Sequence, residues 1–207
     1  MFDRVYRETP CYFGSTPSEE LEAFLCNQQG WTGKALDLGC GEGRDSFVLA
    51  RNGFEVVALD ISQTGIEKLR DQAAATALPI ACSVCDARQY DFPIDAFDFV
   101  SCVTLLDHLT PNEGAAVIEG IKRSLRPLGH VFVEVFTVDD PGYMQRKSID
   151  LVSECASAIQ HYFEKEELRA HFADFEVLQY KEEVELDTSH GPPHHHGIAV
   201  LLGRKRP

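Results

Sequence analysis

Asp37-Leu38-Gly39-Cys40-Gly41-Glu42-Gly43 is the stretch that decides the fold of this chain. It follows the apolar residues Ala35, Leu36 and Leu38 and opens the helical pattern Phe47, Val48, Leu49, Ala50, so a buried strand turns sharply into a helix here. Glycine suits such a turn because the backbone must bend tightly and admit a ligand to atoms that a Cβ would shield. The dinucleotide spacing G-x-G-x-x-G would require glycine at position 44, and the chain has Arg44. It carries G-x-G-x-G instead, with an acid, Asp37, two residues before the first glycine.

Outward from that turn, strand and helix patterns alternate. Strands are expected near 34–39, 54–60, 79–85, 97–103 and 129–137, with helices near 43–52, 62–76 and 112–126. Short connections between such elements imply parallel strands covered by helices on both faces, the doubly wound Rossmann-like α/β class. Upstream, an irregular aromatic opening (Phe2, Tyr6, Tyr12, Phe13) precedes a helix capped by Ser18 and running through Leu21, Phe24 and Leu25. Past residue 140, a polar stretch through Pro141 and Gly142 leads to a helix near 164–172. Alternating segments near 175–185 and 197–204 then form a hairpin that adds antiparallel strands at the sheet edge.

Composition narrows the partners. Against 33 Asp+Glu stand 19 Lys+Arg, a formal charge of −14 that repels phosphate backbones and anionic membrane surfaces, so neither nucleic acid nor membrane is expected. The apolar runs are strand-sized, which predicts no membrane span. The seven cysteines are odd in number, lie mostly in apolar stretches (Cys40, Cys82, Cys85, Cys102) and follow no secretory signal pattern. They fit a reducing cytoplasm better than a disulfide framework, and Cys82 and Cys85 read as strand packing rather than a metal or redox pair.

In a doubly wound sheet the ligand lies outside the carboxyl ends of the strands, so the residues that end each strand matter most. Asp60 closes the second strand, where a carboxylate accepts hydrogen bonds from ribose hydroxyls; its bland role is a helix cap, a task that Ser62 can perform alone. Asp86 closes the third, placed either to accept an adenine amine or to sit solvated at a strand end.

The glycine spacing with its preceding acid resembles motif I of class I S-adenosylmethionine (SAM)-dependent methyltransferases. Phe92-Pro93 before Phe97-Asp98-Phe99-Val100 resembles that family's approach to the fourth strand. Leu125-Arg126-Pro127-Leu128-Gly129-His130 resembles its turn into the fifth, with Leu128-Gly129 where two glycines are usual. The resemblance implies SAM as cofactor. It places Asp37, Gly39, Cys40, Gly41 and Gly43 against SAM, Asp60 and Ile61 on the ribose, Asp86 and Ala87 on the adenine, and Val103 at the methionine end. One domain over 1–207 is expected: an N-terminal lid and helix (1–30), a cofactor-binding core (31–137), and an acceptor-side helix and hairpin (138–207).

Within the superfamily the chain is similar to the tellurite-resistance and thiopurine-type enzymes, through Gly41-Glu42-Gly43-Arg44-Asp45-Ser46, Tyr162-Phe163 before Glu166-Glu167-Leu168, Phe175-Glu176-Val177, and the ending Ala199-Val200-Leu201-Leu202-Gly203-Arg204-Lys205. That likeness implies a small, polarisable acceptor, a thiol or chalcogen oxyanion, handled by a monomer or homodimer. In the tellurite-resistance group, His and Arg residues before the last strand are assigned to the acceptor side. This chain has His190, His194, His195 and His196 there and no arginine. His190 and His194 are expected in catalysis and His195 and His196 on the acceptor; an exposed loop and a metal site are the competing readings. His108, just after the fourth strand, is a further catalytic candidate or a structural residue. Tyr12, expected on the substrate side, and Phe13 form either a lid that excludes water from the sulfonium or part of the core. A SAM-binding sensor without catalysis, or a metal-binding protein built on the histidine loop, would share much of this sequence.

Overall fold

The structure, a computed structural model, describes residues 2–27, 30–145, 159–188 and 192–207. Seven strands form one sheet: β1 (Gly33–Leu38), β2 (Phe54–Asp60), β3 (Ile80–Val84), β4 (Phe97–Val103), β5 (Leu125–Phe136), β6 (Glu176–Asp187) and β7 (His194–Arg204). Their order is β3-β2-β1-β4-β5-β7-β6. β1 to β5 are parallel, and β7 pairs antiparallel with both β5 and β6. The expected antiparallel hairpin is therefore present, with β7 inside and β6 forming the edge.

Helices α1 (Phe2–Glu8), α2 (Glu19–Asn27), α3 (Arg44–Arg51), α4 (Gln63–Thr76), α5 (Pro111–Ser124), α6 (Pro141–Gln145) and α7 (Glu167–His171) accompany the sheet. The period-2 pattern of β1 divides its side chains between two cores. Leu36 and Leu38 join Val117, Ile118 and Ile121 of α5. Ala35 joins Leu21 and Leu25 of α2, Val48 and Leu49 of α3, and Ile66 and Leu69 of α4. Each such buried leucine or isoleucine is worth about 1.5–3 kcal/mol, and burial on both sheet faces explains why Ala35, Leu36 and Leu38 are all apolar rather than alternating with polar residues.

Three local expectations are corrected. The opening is a helix, because Asp3 Oδ1 accepts from Ser62 Oγ at 2.7 Å and from the Thr64 amide at 2.9 Å, pinning α1 to the start of α4. Seven residues would not hold a helix alone. β5 starts at Leu125, not 129: Leu125 pairs with Phe97, and regular pairing resumes at His130 after an irregularity in which Leu128 takes φ 66°. β7 starts at His194, not 197, which draws three histidines out of the loop into the sheet.

Candidate active site

A cavity of about 720 Å³ lies at the carboxyl ends of the parallel strands, within the range of pockets that hold drug- or cofactor-sized molecules. The loop after β1 forms one wall. The Gly39 and Cys40 amides both donate to the Leu59 carbonyl (2.8 and 3.0 Å), closing β1 onto β2. Gly39 has φ 81°, and a Cβ there would lie 2.9 Å from Leu105 Cβ; only glycine lets this loop pass so close to the segment after β4. Gly43 plays a different part from the one expected: it does not line the cavity but starts α3 at φ 92°, where a Cβ would strike Leu69.

Asp60 ties this loop to the next. Its Oδ2 accepts from the Gly41 amide at 2.8 Å and its Oδ1 from the Ser62 amide at 2.7 Å, while the Ser62 hydroxyl caps α4 by accepting from the Gly65 amide. Burial raises the Asp60 pKa, and the two amides work against that rise. Each carboxylate oxygen keeps a second lone pair for a ligand. Asp86 is not simply solvated at its strand end: it caps the short turn Ala87–Gln89 and holds the Arg88 guanidinium as a fork, at 2.9 and 2.6 Å. Those bonds to Arg88 lower its pKa. Ile61, Ala87 and Val103 also line the cavity.

The floor gathers charge that sequence reasoning did not single out. Asp37 is buried, accepts the Ser46 hydroxyl at 2.5 Å, and is pushed up in pKa by burial and then by neighbouring Asp45. Glu134, from β5, is pushed up to about 7 by burial, with Arg44 pulling the other way. Arg44 itself pairs with Asp45 at 3.4 Å. Thr104, next to Val103, holds φ 46°, unusual for a β-branched residue and set at the cavity wall. No local pattern marked Glu134 or Thr104; only the parallel pairing of β4 with β5, through the Thr104 amide on the Glu134 carbonyl, brings them together.

The N-terminal segment closes the other side with Phe2, Tyr6 and Phe13. Tyr12 is not part of that lining: its amide donates to Glu42 Oε2 at 2.7 Å, its ring lies edge-on to Phe13 at 4.7 Å, and it anchors the segment from outside. Lys68 reinforces the anchor by binding Glu42 at 2.6 Å and the Thr9 carbonyl.

The histidines separate. His108 lines the cavity and meets the Phe2 ring edge-to-face at 5.0 Å. His196 also lines it, whereas His194 is absent from the lining and meets His196, the two Nε2 atoms lying 2.9 Å apart. His195, paired with exposed Leu186, is itself exposed and does not line the cavity, because alternate residues of β7 face opposite ways. An acceptor role for His195 is not supported by this placement. His190 lies outside the described residues.

A cavity with glycine-lined walls, strand-end acids and a negative floor suits a cationic nucleoside, and the residues present fit SAM. Residues 35–129 match the family model of a methyltransferase domain. Hemagglutinin 1 of Eikenella corrodens is 27% identical over 175 residues, covering 83% of this chain and 54% of that protein. A probable S-adenosyl-L-methionine-dependent methyltransferase of Haemophilus influenzae, TehB, is 24% identical over 177 residues, covering 84% of this chain and 57% of the relative. The crystal structure of TehB from Haemophilus influenzae shares the fold at TM-score 0.76 and 21% identity, covering 91% of this chain and 62% of that one. The chain thus spans little more than half the length of these curated relatives.

Proposed function

We propose that the chain, whose residues 35–129 match the family model of a methyltransferase domain, transfers a methyl group from SAM to a small-molecule acceptor, a thiol or reduced chalcogen. The observation that carries this reading is the convergence of the Gly39–Gly41 loop, Asp60 and Asp86 on one cavity at the ends of three neighbouring strands. Bound there, SAM supplies a methyl already activated on a positive sulfur, so the protein's contribution is position and electrostatics.

Each residue then has a role. Asp60 accepts from the ribose hydroxyls with the lone pairs its two amides leave. Asp86, with the Ala87 amide, meets the adenine edge. Asp37, Asp45, Glu134 and Arg44 form a network of net negative charge facing the sulfonium and ammonium groups. Phe2, Tyr6 and Phe13 keep water from the reacting sulfur. Alignment of acceptor and methyl in such an enclosed site is worth up to about 7–11 kcal/mol. The same negative lining disfavours a free oxyanion and favours an acceptor that arrives neutral. A thiol must then lose its proton, and His108 is the cavity-lining base assigned to take it.

The test is turnover of methyl-labelled SAM with a panel of thiols, selenols, selenite, tellurite and phenols, alongside calorimetry with S-adenosylhomocysteine. Binding with turnover on a thiol or selenol is expected. Binding without turnover on any acceptor would make the protein a SAM sensor, and no binding would remove the cofactor assignment altogether.

A further inference from the structure

Where β6 meets β7, the register pairs Asp187 with His194, and His196 follows two residues on, so the three side chains share one face. The His194 and His196 Nε2 atoms lie 2.9 Å apart, and Asp187 Oδ2 lies 3.8 Å from His196 Nε2. One ligand atom from each residue falls within a 4.8 Å span. Asp187 and His196 line the large cavity, so this cluster opens onto it.

The hydrogen bonds on the far sides of the two rings fix which nitrogen carries the proton. His194 Nδ1 faces the Pro192 carbonyl at 2.9 Å, and a carbonyl can only accept, so that nitrogen is N–H. His196 Nδ1 faces Asp140 Oδ2 at 2.8 Å. Asp140 is buried and held by the Gly142 amide (2.6 Å) and the Gly197 amide (3.1 Å), which makes it a fixed acceptor. With both Nδ1 atoms held this way, the two rings present Nε2 to the same point.

We propose that this convergence of ligand atoms holds a divalent transition-metal ion of the zinc, nickel or cobalt class, bound by His194 Nε2, His196 Nε2 and the Asp187 carboxylate. Two nitrogens bound at about 2.1 Å to one tetrahedral ion are about 3.4 Å apart, so the two rings, 2.9 Å apart here, need to part by only about 0.5 Å to hold it. Asp140 orients His196 through the opposite ring nitrogen, as carboxylates behind metal-bound histidines do. Three protein ligands leave coordination positions open toward the cavity. The other acidic cluster, Glu20, Glu183 and Glu185, contrasts with this one because the Lys181 ammonium already occupies it. Use of the open positions by an acceptor sulfur or selenium rests on the methyl-transfer reading; the metal site does not.

The test uses untagged full-length chain, stripped with a chelator and titrated with Co²⁺ while visible absorption is followed, with Zn²⁺ as competitor. One equivalent of Co²⁺ displaced by Zn²⁺ is expected. His194→Ala and Asp187→Ala should each weaken Co²⁺ by tenfold or more, and Asp140→Asn by about 10- to 100-fold. S-adenosylhomocysteine affinity in His194→Ala should stay unchanged, which separates loss of the site from loss of the fold. No Co²⁺ binding at millimolar concentration, or binding that survives removal of both His194 and Asp187, would overturn the proposal and leave two histidines sharing a proton. Stoichiometric Co²⁺ without turnover on any acceptor would support the metal site while refuting the enzyme.

Discussion

Glu134→Gln should change stability in a way that depends on pH. The carboxyl of Glu134 ordinarily titrates near 4.5 and is pushed up to about 7 in the fold. The native state therefore holds this proton more tightly than the unfolded chain. Its stabilising contribution is complete below the unfolded value and is lost as pH rises through the folded one. The interval corresponds to about 3 kcal/mol, and about half of that should survive because water reaches the side chain from the cavity. Glutamine cannot ionise, so the variant escapes the loss. Thermal unfolding should place variant and parent close together at about pH 5 and the variant higher by about 3–6 °C at about pH 8. An offset that is the same at both values, or a variant less stable in the alkaline buffer, would refute the reasoning. A cationic cofactor beside Glu134 favours its ionised form, so binding near neutrality should release a proton. Calorimetry in buffers of different ionisation enthalpy would detect that release, and Glu134→Gln should abolish it.

Three further outcomes are expected. Asp60→Asn keeps the shape but turns an amide donor toward either Gly41 or Ser62, and should weaken S-adenosylhomocysteine by about 10- to 100-fold in a binding titration. Gly39→Ala combines a left-handed φ with a 2.9 Å approach to Leu105 Cβ, and should cost about 2–4 kcal/mol in denaturant unfolding. His108→Ala should slow transfer to a neutral thiol by about 10²- to 10⁴-fold with cofactor affinity unchanged, and raising pH to preform the thiolate should recover part of the rate.

The parts legible in the sequence were those set by burial on both sides of one element. β1, β2 and β4 read correctly because both sheet faces demand apolar residues, and α4 because Ser62 caps it where the apolar spacing begins. α1 was hidden because its stability comes from Asp3 gripping a helix start some sixty residues away. Glu134 looked like an ordinary polar position in a strand; only the pairing of β4 with β5 places it at the cavity floor. The histidine stretch read as one loop because the β7 boundary was set three residues late. Once His194 belongs to the strand, alternation alone separates His194 and His196 from His195.

β7 runs against its neighbours, so the chain enters that strand at the very rim where β5 leaves the sheet. The two stems of the hairpin, joined through the tip at residues 188–193, therefore bring Asp187 and His196 to the cavity and stay locked by long ladders of backbone bonds. Doubling the length of such a tip costs only about 0.6 kcal/mol in closure entropy. The locked stems thus make this rim tolerant of change: substitutions at Leu186 or Thr188, which line the cavity, can retune which molecules are admitted, leaving the nucleoside cradle on the opposite half of the sheet undisturbed.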